Sequence, residues 1–444
     1  MQQKVHVTTP SPHDASSAAP SDAEALGASE VDAGVPGGVE ARGFARLAAA
    51  LASRNFRLLW LGAATSTSGT WMQRVAQNWL VLTLTGSAFY LGLDSFLGEV
   101  PILLFTLIGG VIADRHDRRT LLMTSQWIQL ACAFILAGLV FTERVEVWHV
   151  LTLSFITGLA QAFGGPAYQS LIPALVPRDH LPNAIALNSI QFNLARVFGP
   201  LMAGATLAAL GMAACFMLNG ISFLFVLAAL ALLRLPPHEV KRQQPHILDD
   251  LRRGIAYVRR RQALVSLIAV AFLSTFLGFP MQTLLPVFAQ EVFHQGVGEY
   301  SRMMTCAGAG AVAGALVVAW LGRFAHMGRT LLILLGVYGV LVVAFALSRE
   351  LWVTYVLLFA SGSAVIITSS LLTSLAQLVA PDHLRGRVMS IFMVAFRGGM
   401  PLGNLLSGTV ASLTSAPLIL AINGLVIVVV SAYFLTRRQG VAEL

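Results

Sequence analysis

Twelve long apolar stretches dominate the sequence and restrict the chain to a membrane fold. A helix needs about 20 mostly apolar residues to cross a bilayer. Only 11% of all residues are charged, against about 25% in a soluble domain. The pattern predicts an all-α membrane protein with twelve transmembrane helices, and it excludes a soluble globule, a disordered chain and a nucleic-acid-binding domain. The stretches are 58–84, 87–113, 119–141, 147–170, 184–210, 212–234, 263–289, 299–321, 329–348, 351–375, 387–412 and 416–436.

The stretches divide into two groups of six around one long polar segment. We expect a first six-helix bundle at 51–234, a cytoplasmic linker with an amphipathic helix at 235–262, a second six-helix bundle at 263–438 and a short cytoplasmic tail at 439–444. Residues 1–50 are rich in Ala, Ser, Pro, Gly and acids, so we expect a disordered cytoplasmic tail. They lack the apolar core of a secretory signal peptide.

Basic residues are concentrated on one side of the predicted membrane domain. With both termini inside, 23 of the 29 Lys and Arg residues fall in cytoplasmic segments, and only Arg144 and Arg349 fall in outer loops. Positive charge accumulates on the cytoplasmic side of membrane proteins. We therefore expect a multi-pass membrane protein with both termini in the cytoplasm. The net charge of +8 then reflects orientation rather than binding to nucleic acid.

The two groups of six stretches also repeat each other in sequence. Asp-His-Leu occurs at 179–181 before the fifth stretch and at 382–384 before the eleventh. Arg196 and Pro200 in the fifth stretch correspond to Arg397 and Pro401 in the eleventh. Two six-helix halves in parallel repeat, with a substrate site between them near the middle of the membrane, are typical of transporters.

The loop after the second stretch carries a motif. Residues 110–119 read Gly-Val-Ile-Ala-Asp-Arg-His-Asp-Arg-Arg, which resembles the G-x-x-x-D-R-x-x-R-R signature loop of the major facilitator superfamily. The resemblance implies a gating loop whose Asp114 interacts with the positive N-terminal end of the eleventh helix, near 385–387, and locks the cytoplasmic side shut. Gly110 is expected to permit close helix approach. The loop at 322–329 lacks the acid, which predicts an asymmetric gate. The motif residues are Gly110, Asp114, Arg115, Arg118 and Arg119.

A second motif lies in the fifth stretch. Residues 195–204 read Ala-Arg-Val-Phe-Gly-Pro-Leu-Met-Ala-Gly, which resembles the G-x-x-x-G-P-x-x-G-G pattern of drug:proton antiporters with Ala in place of two glycines. The resemblance implies an antiporter-like bend at Gly199, Pro200 and Gly204, linked to export. Proline removes a backbone hydrogen bond, and small residues allow close packing. The alternative is a generic packing kink.

Further residues narrow the resemblance to one branch of the superfamily. Asn-Phe-Arg at 55–57, Gly-Thr-Trp-Met-Gln at 69–73, Trp-Leu-Val at 79–81 and Leu-Thr-Gly-Ser-Ala at 84–88 are similar to the branch that includes the bacterial enterobactin exporter and macrolide efflux proteins. This resemblance covers residues 54–436. It indicates a branch and no particular substrate.

Ionisable residues inside the stretches are candidates for coupling. A charge at the bilayer centre costs at least about 2.5–3.5 kcal/mol on insertion scales. We count two acids within the stretches, Asp94 and Glu99, both in the second one. At 1.5 Å per residue, Arg74 in the first stretch is level with Glu99. We expect Glu99 or Asp94 to carry the coupled proton, with Arg74 as the partner of Glu99; the alternative is a fixed structural ion pair.

Polar residues on the helices near the repeat interface predict a substrate cavity. Arg196 and Arg397 are equivalent in the two halves and would suit an anionic or carbonyl-rich substrate. Alternatively, each satisfies carbonyl groups near its own kink or pairs with Glu99. Arg302 is expected to extend outward from the eighth stretch. The cavity residues are Gln73, Gln77, Gln161, Arg196, Gln282 and Arg397, and Trp71 could stack on a flat ligand.

These observations predict a secondary transporter of the major facilitator fold. We expect a monomer in the lipid bilayer that exports a small organic compound, such as a siderophore or a macrolide-like drug, in exchange for protons. The alternatives are an importer or a uniporter of the same superfamily, and a membrane sensor or scaffold that transports nothing. No nucleophile–base pair, phosphate-cradling loop or Cys/His cluster occurs in the sequence, so we expect no enzyme, no cofactor, no metal site and no nucleic-acid partner.

Overall fold

A computed structural model describes residues 49–234, 254–322, 324, 326–436 and 440–443, with the Asp114 side chain excepted. Most of the predicted tail at 1–50 and most of the linker at 235–262 lie outside the described residues, and the last two tail residues belong to a short helical turn, Ala49–Ala52. The described end of the linker is helical at 254–259. Its Val258 is buried against Leu264 and Val388, so this part of the predicted amphipathic helix packs on the second half.

The described chain consists of long helices joined by short loops. Eleven of the helical segments are apolar and long enough to cross a membrane, and the first helix is more polar because it contains Gln73, Arg74, Gln77 and Asn78. The helices are α1 Arg54–Thr85, α2 Ala88–Arg115, α3 Arg118–Phe141, α4 Val147–Leu171, α5 Leu181–Leu210, α6 Met212–Leu232, α7 Gln262–Gly278 and Pro280–Val287, α8 Val297–Leu321, α9 Met327–Leu347, α10 Leu351–Val379, α11 Arg385–Leu413 and α12 Ala416–Thr436.

Helix ends follow local sequence signals. The first helix ends at Gly86, whose φ of 59° places it in the left-handed region that favours glycine. The next helix begins directly after Ser87, whose side chain accepts a hydrogen bond from the backbone N–H of Phe89. This pair of signals joins α1 and α2 through a two-residue turn and fixes the depth of Arg74 relative to Glu99.

The seventh membrane segment is broken at Pro280. The helix that starts at Gln262 stops at Gly278, and a new helical segment begins at Pro280. A π-helical turn, Phe288–Val292, follows. Proline cannot donate the backbone hydrogen bond that would continue the helix, and the break places Gln282 just after the interruption.

The two groups of six helices pack in equivalent ways. In the first, α1 packs on α5 and α6, and α4 packs on α2 and α3. In the second, α7 packs on α11, and α10 packs on α8 and α9. Two pairs of helices connect the halves, α2 with α11 and α5 with α8. These pairs are themselves related by the sequence repeat, which gives the twelve-helix fold of two pseudo-symmetric bundles.

The halves are in close contact at one end, which we call the closed end and which contains Gly86 and Gly211. A Cβ at Gly92 of α2 would lie 2.4 Å from the carbonyl oxygen of Asn404 on α11. The Asn404 amide also donates a hydrogen bond of 2.7 Å to Ser95. On the other pair, a Cβ at Gly204 of α5 would lie 3.1 Å from Ser301 on α8.

The halves separate toward the opposite end, which we call the open end and which contains the loop at 116–117. Gly110 lies five helical turns after Gly92 on α2, and Gly386 lies five turns before Asn404 on α11, so each is on the face that contacts the other half. A Cβ at Gly110 or Gly386 would meet nothing within 4 Å. A space between the bundles therefore widens toward the open end.

Candidate functional site

A chain of hydrogen bonds leads to Asp94 inside the first bundle. The amide of Asn219 donates to Gln73 at 2.6 Å, Gln73 to Gln77 at 3.4 Å, and Gln77 to Asp94 at 2.8 Å. The hydroxyl of Ser154 donates to the other carboxylate oxygen. Only 5% of Asp94 is exposed. The chain connects α1, α2, α4 and α6, and it surrounds the carboxylate with neutral donors.

Glu99 lies on the same helix but has a different environment. Its carboxylate is 3.2 Å from the guanidinium of Arg74, whose side chain is 50% exposed. Glu99 is seven residues from Gly92 and four from Leu103, so it lies on the face of α2 that turns toward α11. Arg74 and Glu99 thus lie at the same depth and form the pair that the sequence predicts.

Two guanidinium groups lie against one indole ring. Arg74 and Arg196 are each 5.2 Å from the centre of the Trp71 ring, within the distance at which a cation is attracted to an aromatic face. Among the residues that the structure describes, this ring is the interaction assigned to Arg196. Within that part of the chain, the Arg196 side chain bonds neither to a backbone carbonyl near the kink of α5 nor to Glu99, which were the two alternatives drawn from the sequence.

Arg397 of the second bundle is exposed. It lies seven residues before Asn404 and therefore on the face of α11 that turns toward α2. Within the described part of the chain, no hydrogen bond or ion pair involves its side chain. The equivalence of Arg196 and Arg397 in sequence thus does not extend to their neighbours, because α7 has no tryptophan that corresponds to Trp71.

The remaining predicted cavity residues are not joined to the Asp94 chain. Gln161 is exposed and accepts a 3.4 Å hydrogen bond from the buried Gln129. Gln282 is partly buried just after the break in α7. Gln73 and Gln77 are largely committed to interhelical hydrogen bonds, which is the alternative role that polar side chains often have in membrane bundles.

The Gly-Pro motif of α5 makes contacts with both halves. A Cβ at Gly199 would lie 2.3 Å from the Cβ of Trp71, so this glycine allows α1 to approach. Pro200 lacks an N–H and leaves the carbonyl of Arg196 without its usual helical donor. The backbone of Gly308 on α8 covers that carbonyl, since a Cβ there would lie 2.3 Å from the oxygen. Glycine thus permits a Cα–H···O contact between the bundles.

The predicted role of Gly110 is wrong for this conformation. An added Cβ at Gly110 meets nothing within 4 Å, whereas one at Gly109 would lie 2.3 Å from the carbonyl oxygen of Ala162 on α4. The physical reason is that Gly110 faces the space between the bundles, while Gly109 faces a neighbour in its own bundle. Pro166 leaves the Ala162 carbonyl without a helical donor, and Gly109 covers it.

The basic residues of the loop interact within the first bundle. Arg118 donates to the carbonyl of Ser170 at 3.1 Å, and Arg119 donates to the carbonyl of Ala231 at 2.8 Å. Both contacts satisfy carbonyl groups at helix C-termini, where positive charge is also favoured. Arg115 is exposed. The predicted contact of the Asp114 side chain lies outside the described residues.

Asp117 in this loop caps the N-terminus of α3. Its carboxylate accepts hydrogen bonds from the hydroxyl and backbone of Thr120 and from the backbone of Arg119. Partial burial opposes ionisation, but these hydrogen bonds and the Arg119 charge outweigh burial and hold the pKa of the Asp117 carboxyl below its usual value. Asp117 therefore acts as the N-cap of α3.

The sequence count of two acids within the stretches is wrong, because Glu299 is the first residue of the eighth stretch, and the structure shows that it is buried. It lies in the first turn of α8 with 6% of its surface exposed. Its carboxylate accepts hydrogen bonds from the Tyr355 hydroxyl and, at 3.0 Å, from Arg302. Arg302 extends outward as expected, with 70% of its side chain exposed. The position of Glu299 at the very start of a stretch made it resemble a loop residue.

Tyr300, next to Glu299, connects the halves at the closed end. Its hydroxyl accepts a 3.0 Å hydrogen bond from Asn78, and its ring stacks on Trp79 with centres 6.3 Å apart. The side chain is fully buried. The sequence alone did not single out Tyr300, and an aromatic residue in the first turn of a long apolar stretch was the available signal.

Comparisons with known proteins identify the family to which this chain is similar. Residues 45–443 match the family described as "transmembrane secretion effector". The macrolide efflux protein A of Streptococcus pyogenes is 26% identical over 80% of this chain and 89% of its own length. The staphyloferrin A transporter of Staphylococcus aureus is 26% identical over 83% of this chain and 93% of its own.

A solved structure shares the arrangement of helices. The bacterial homologue of the human lysosomal transporter Spinster, in an inward-facing and unoccupied conformation, superposes with a TM-score of 0.66 at 14% identity. The match covers 86% of this chain and 96% of that one. Since the family match extends over most of the sequence, the chain belongs to the transmembrane secretion effectors of the major facilitator superfamily and is a multi-pass membrane transporter.

Proposed function

We propose that this transporter exports a small organic compound in exchange for protons, by alternating access across the bacterial inner membrane. Both termini would be cytoplasmic, so the open end would face the cytoplasm. The names of the relatives, a macrolide efflux protein and a staphyloferrin A transporter, support transport of a small organic compound, and the first of them supports export. The concentration of basic residues at the open end supports this orientation.

The observation that carries the proposal is the pair formed by Glu99 and Arg74. The two side chains lie 3.2 Å apart beside the space between the bundles. In the form described, the Glu99 carboxylate and the Arg74 guanidinium form an ion pair. Protonation of Glu99 would remove that attraction and free the guanidinium. A carboxylate that changes its partner with its charge, on a helix that contacts the other half, can link proton binding to reorientation of the bundles.

Asp94 is the second proposed proton carrier. It is buried, and its oxygens accept from Gln77 and Ser154. A proton on the oxygen that faces Ser154 would turn that carboxyl oxygen into a donor and reverse the hydrogen bond. Because a hydrogen bond to an ionised carboxylate is stronger than one between neutral groups, protonation would weaken the contact between α2 and α4. In this proposal Glu99 exchanges protons with the open space, and Asp94 responds inside the bundle.

The signature loop would act when the open end closes. Gly110 and Gly386 have free space around them in this conformation. In the other conformation, Asp114 is proposed to meet the N-terminal end of α11, where a carboxylate is stabilised by about 0.3–1 kcal/mol. The antiporter-like bend at Pro200 would then permit α5 to adjust against α8.

The test uses everted membrane vesicles in which an acridine dye reports the proton gradient, with erythromycin and staphyloferrin A as the added compounds. Glu99→Gln is expected to reduce compound-induced proton release by about tenfold or more, because the neutral amide cannot carry a proton. Exchange of labelled for unlabelled compound should continue, since that reaction moves no net proton. Asp94→Asn is expected to act in the same direction.

Glu291→Gln provides the matched control, because Glu291 is an exposed acid in the π-helical turn. This variant should transport as the parent protein does. Proton release at the parental rate in both Glu99→Gln and Asp94→Asn would refute the assignment of these carboxylates.

A further inference from the structure

The charges that face the space between the bundles do not balance. Arg74 and Glu99 form a pair, which leaves Arg196 and Arg397 without a carboxylate among the described residues. Asp94 forms no ion pair with either arginine among the described residues, because it is buried and its oxygens accept hydrogen bonds from Gln77 and Ser154. With Glu99 ionised, these groups carry two positive charges in excess. An ionised Asp94 would lower this excess by one charge, and the excess would still be positive.

Excess positive charge at this depth requires a reason. Charged side chains inside a membrane protein pair with one another, with backbone carbonyls or with a ligand. The ring of Trp71 contributes a cation–π attraction to Arg196 but no neutralising charge. Arg397 lacks an equivalent of that ring, although it is exposed on the face of α11 that turns toward α2.

We infer that the transported compound is an organic anion, held by its carboxylate or an equivalent oxyanion group between Arg196 of the first bundle and Arg397 of the second. This inference rests on the proposed function only in that the space between the bundles binds the substrate. The planar guanidinium group donates two parallel hydrogen bonds to a carboxylate. One anionic ligand that contacts both arginines would bring positive groups from the two halves together.

The geometry also assigns the apolar part of the compound. Trp71 lies next to Arg196: its Cβ packs against Gly199 on α5, and its ring lies beside two guanidinium groups. A flat or aromatic part of the substrate can contact this region while its anionic group reaches Arg397. A cationic amphiphile of the same shape would be repelled by the excess positive charge.

Binding to the purified full-length protein in lipid nanodiscs tests the charge preference without any proton gradient. Two matched comparisons are used, 2-naphthoate with 2-naphthylmethylammonium and citrate with its trimethyl ester, followed by calorimetry. Both anions are expected to bind at least about tenfold more tightly than their partners. Equal or tighter binding of the cation and the ester, or binding of none of the four, would overturn the inference.

Substitutions locate the site. Arg196→Gln and Arg397→Gln should each weaken binding of the anions by about tenfold, and Arg397→Lys should retain most of it. Arg349→Gln, in an exposed loop at the closed end, is the matched control and should bind as the parent does. Arg397 has no described partner, so its removal leaves no group unpaired. Parental binding in both glutamine variants would contradict this location.

The two proposals can fail separately. Tight anion binding without proton release in everted vesicles would refute proton exchange and leave the substrate class intact. Proton-driven export of ethidium, with no preference for anions in the binding comparison, would support antiport and refute the anionic substrate.

Discussion

Gly308→Ala is expected to reduce transport by roughly 5-fold to 150-fold, because it would disfavour the conformation in which the two bundles are in contact at the closed end. A Cβ there would lie 2.3 Å from the carbonyl oxygen of Arg196 and 2.9 Å from its carbon. Backbone atoms cannot move aside as a flexible side chain can, and overpacking of this kind costs about 1–3 kcal/mol. The cost applies when α5 and α8 are in contact and disappears when they separate.

The distance between the bundles at the closed end checks this expectation. Spin labels at Arg144→Cys and Gln295→Cys, both in exposed loops, would report it after replacement of the three native cysteines by alanine. The Gly308→Ala variant should shift the distance distribution to longer values. Gly298→Ala on the same helix is the control, since a Cβ there meets nothing within 4 Å. A parental distance distribution in Gly308→Ala would refute the role of this contact.

The membrane segments could be predicted from sequence because a bilayer imposes a length and an apolar composition on each of them. The break in α7 followed from Pro280, and the pairing of Arg74 with Glu99 followed from counting 1.5 Å per residue on either side of a short turn. These results depend on distance along one chain segment, which the sequence contains directly.

Contacts between distant helices could not be predicted in the same way. The hydrogen-bond chain that leads to Asp94 depends on how α4 and α6 are rotated about their axes. For this reason, Ser154 and Asn219 did not stand out among the other polar residues of the sequence. Gly109 and Gly110 are neighbours in sequence, yet they face different helices, and only the packing of α2 on α4 distinguishes them. Glu299 was missed because its partner Tyr355 lies on α10, a contact between distant helices.

Asp94→Leu is expected to lower the free energy of unfolding by about 1–3 kcal/mol, because it removes the acceptor of two interhelical hydrogen bonds. Such bonds contribute about 0.6 kcal/mol on average and up to about 1.7 kcal/mol in membrane proteins. The Ser154 hydroxyl would lose its acceptor, and the Gln77 amide would keep only its 2.9 Å hydrogen bond to Ser154, in a site where only 5% of the replaced residue is exposed. Asp94→Asn keeps one acceptor oxygen and should lose less stability.

Thermal unfolding in detergent measures this difference, with a thiol-reactive fluorophore that reports exposure of the buried Cys132 and Cys215. Glu99→Leu is the matched control on the same helix. Its Arg74 partner is half exposed, and an exposed ion pair contributes little to stability, so this variant should unfold near the parental temperature while losing proton exchange. Unfolding of Asp94→Leu at the parental temperature would show that the chain from Asn219 to Asp94 does not stabilise the bundle. If Asp94→Leu loses stability and Glu99→Leu does not, then Asp94 has a structural role in addition to the proton coupling that we propose for both carboxylates.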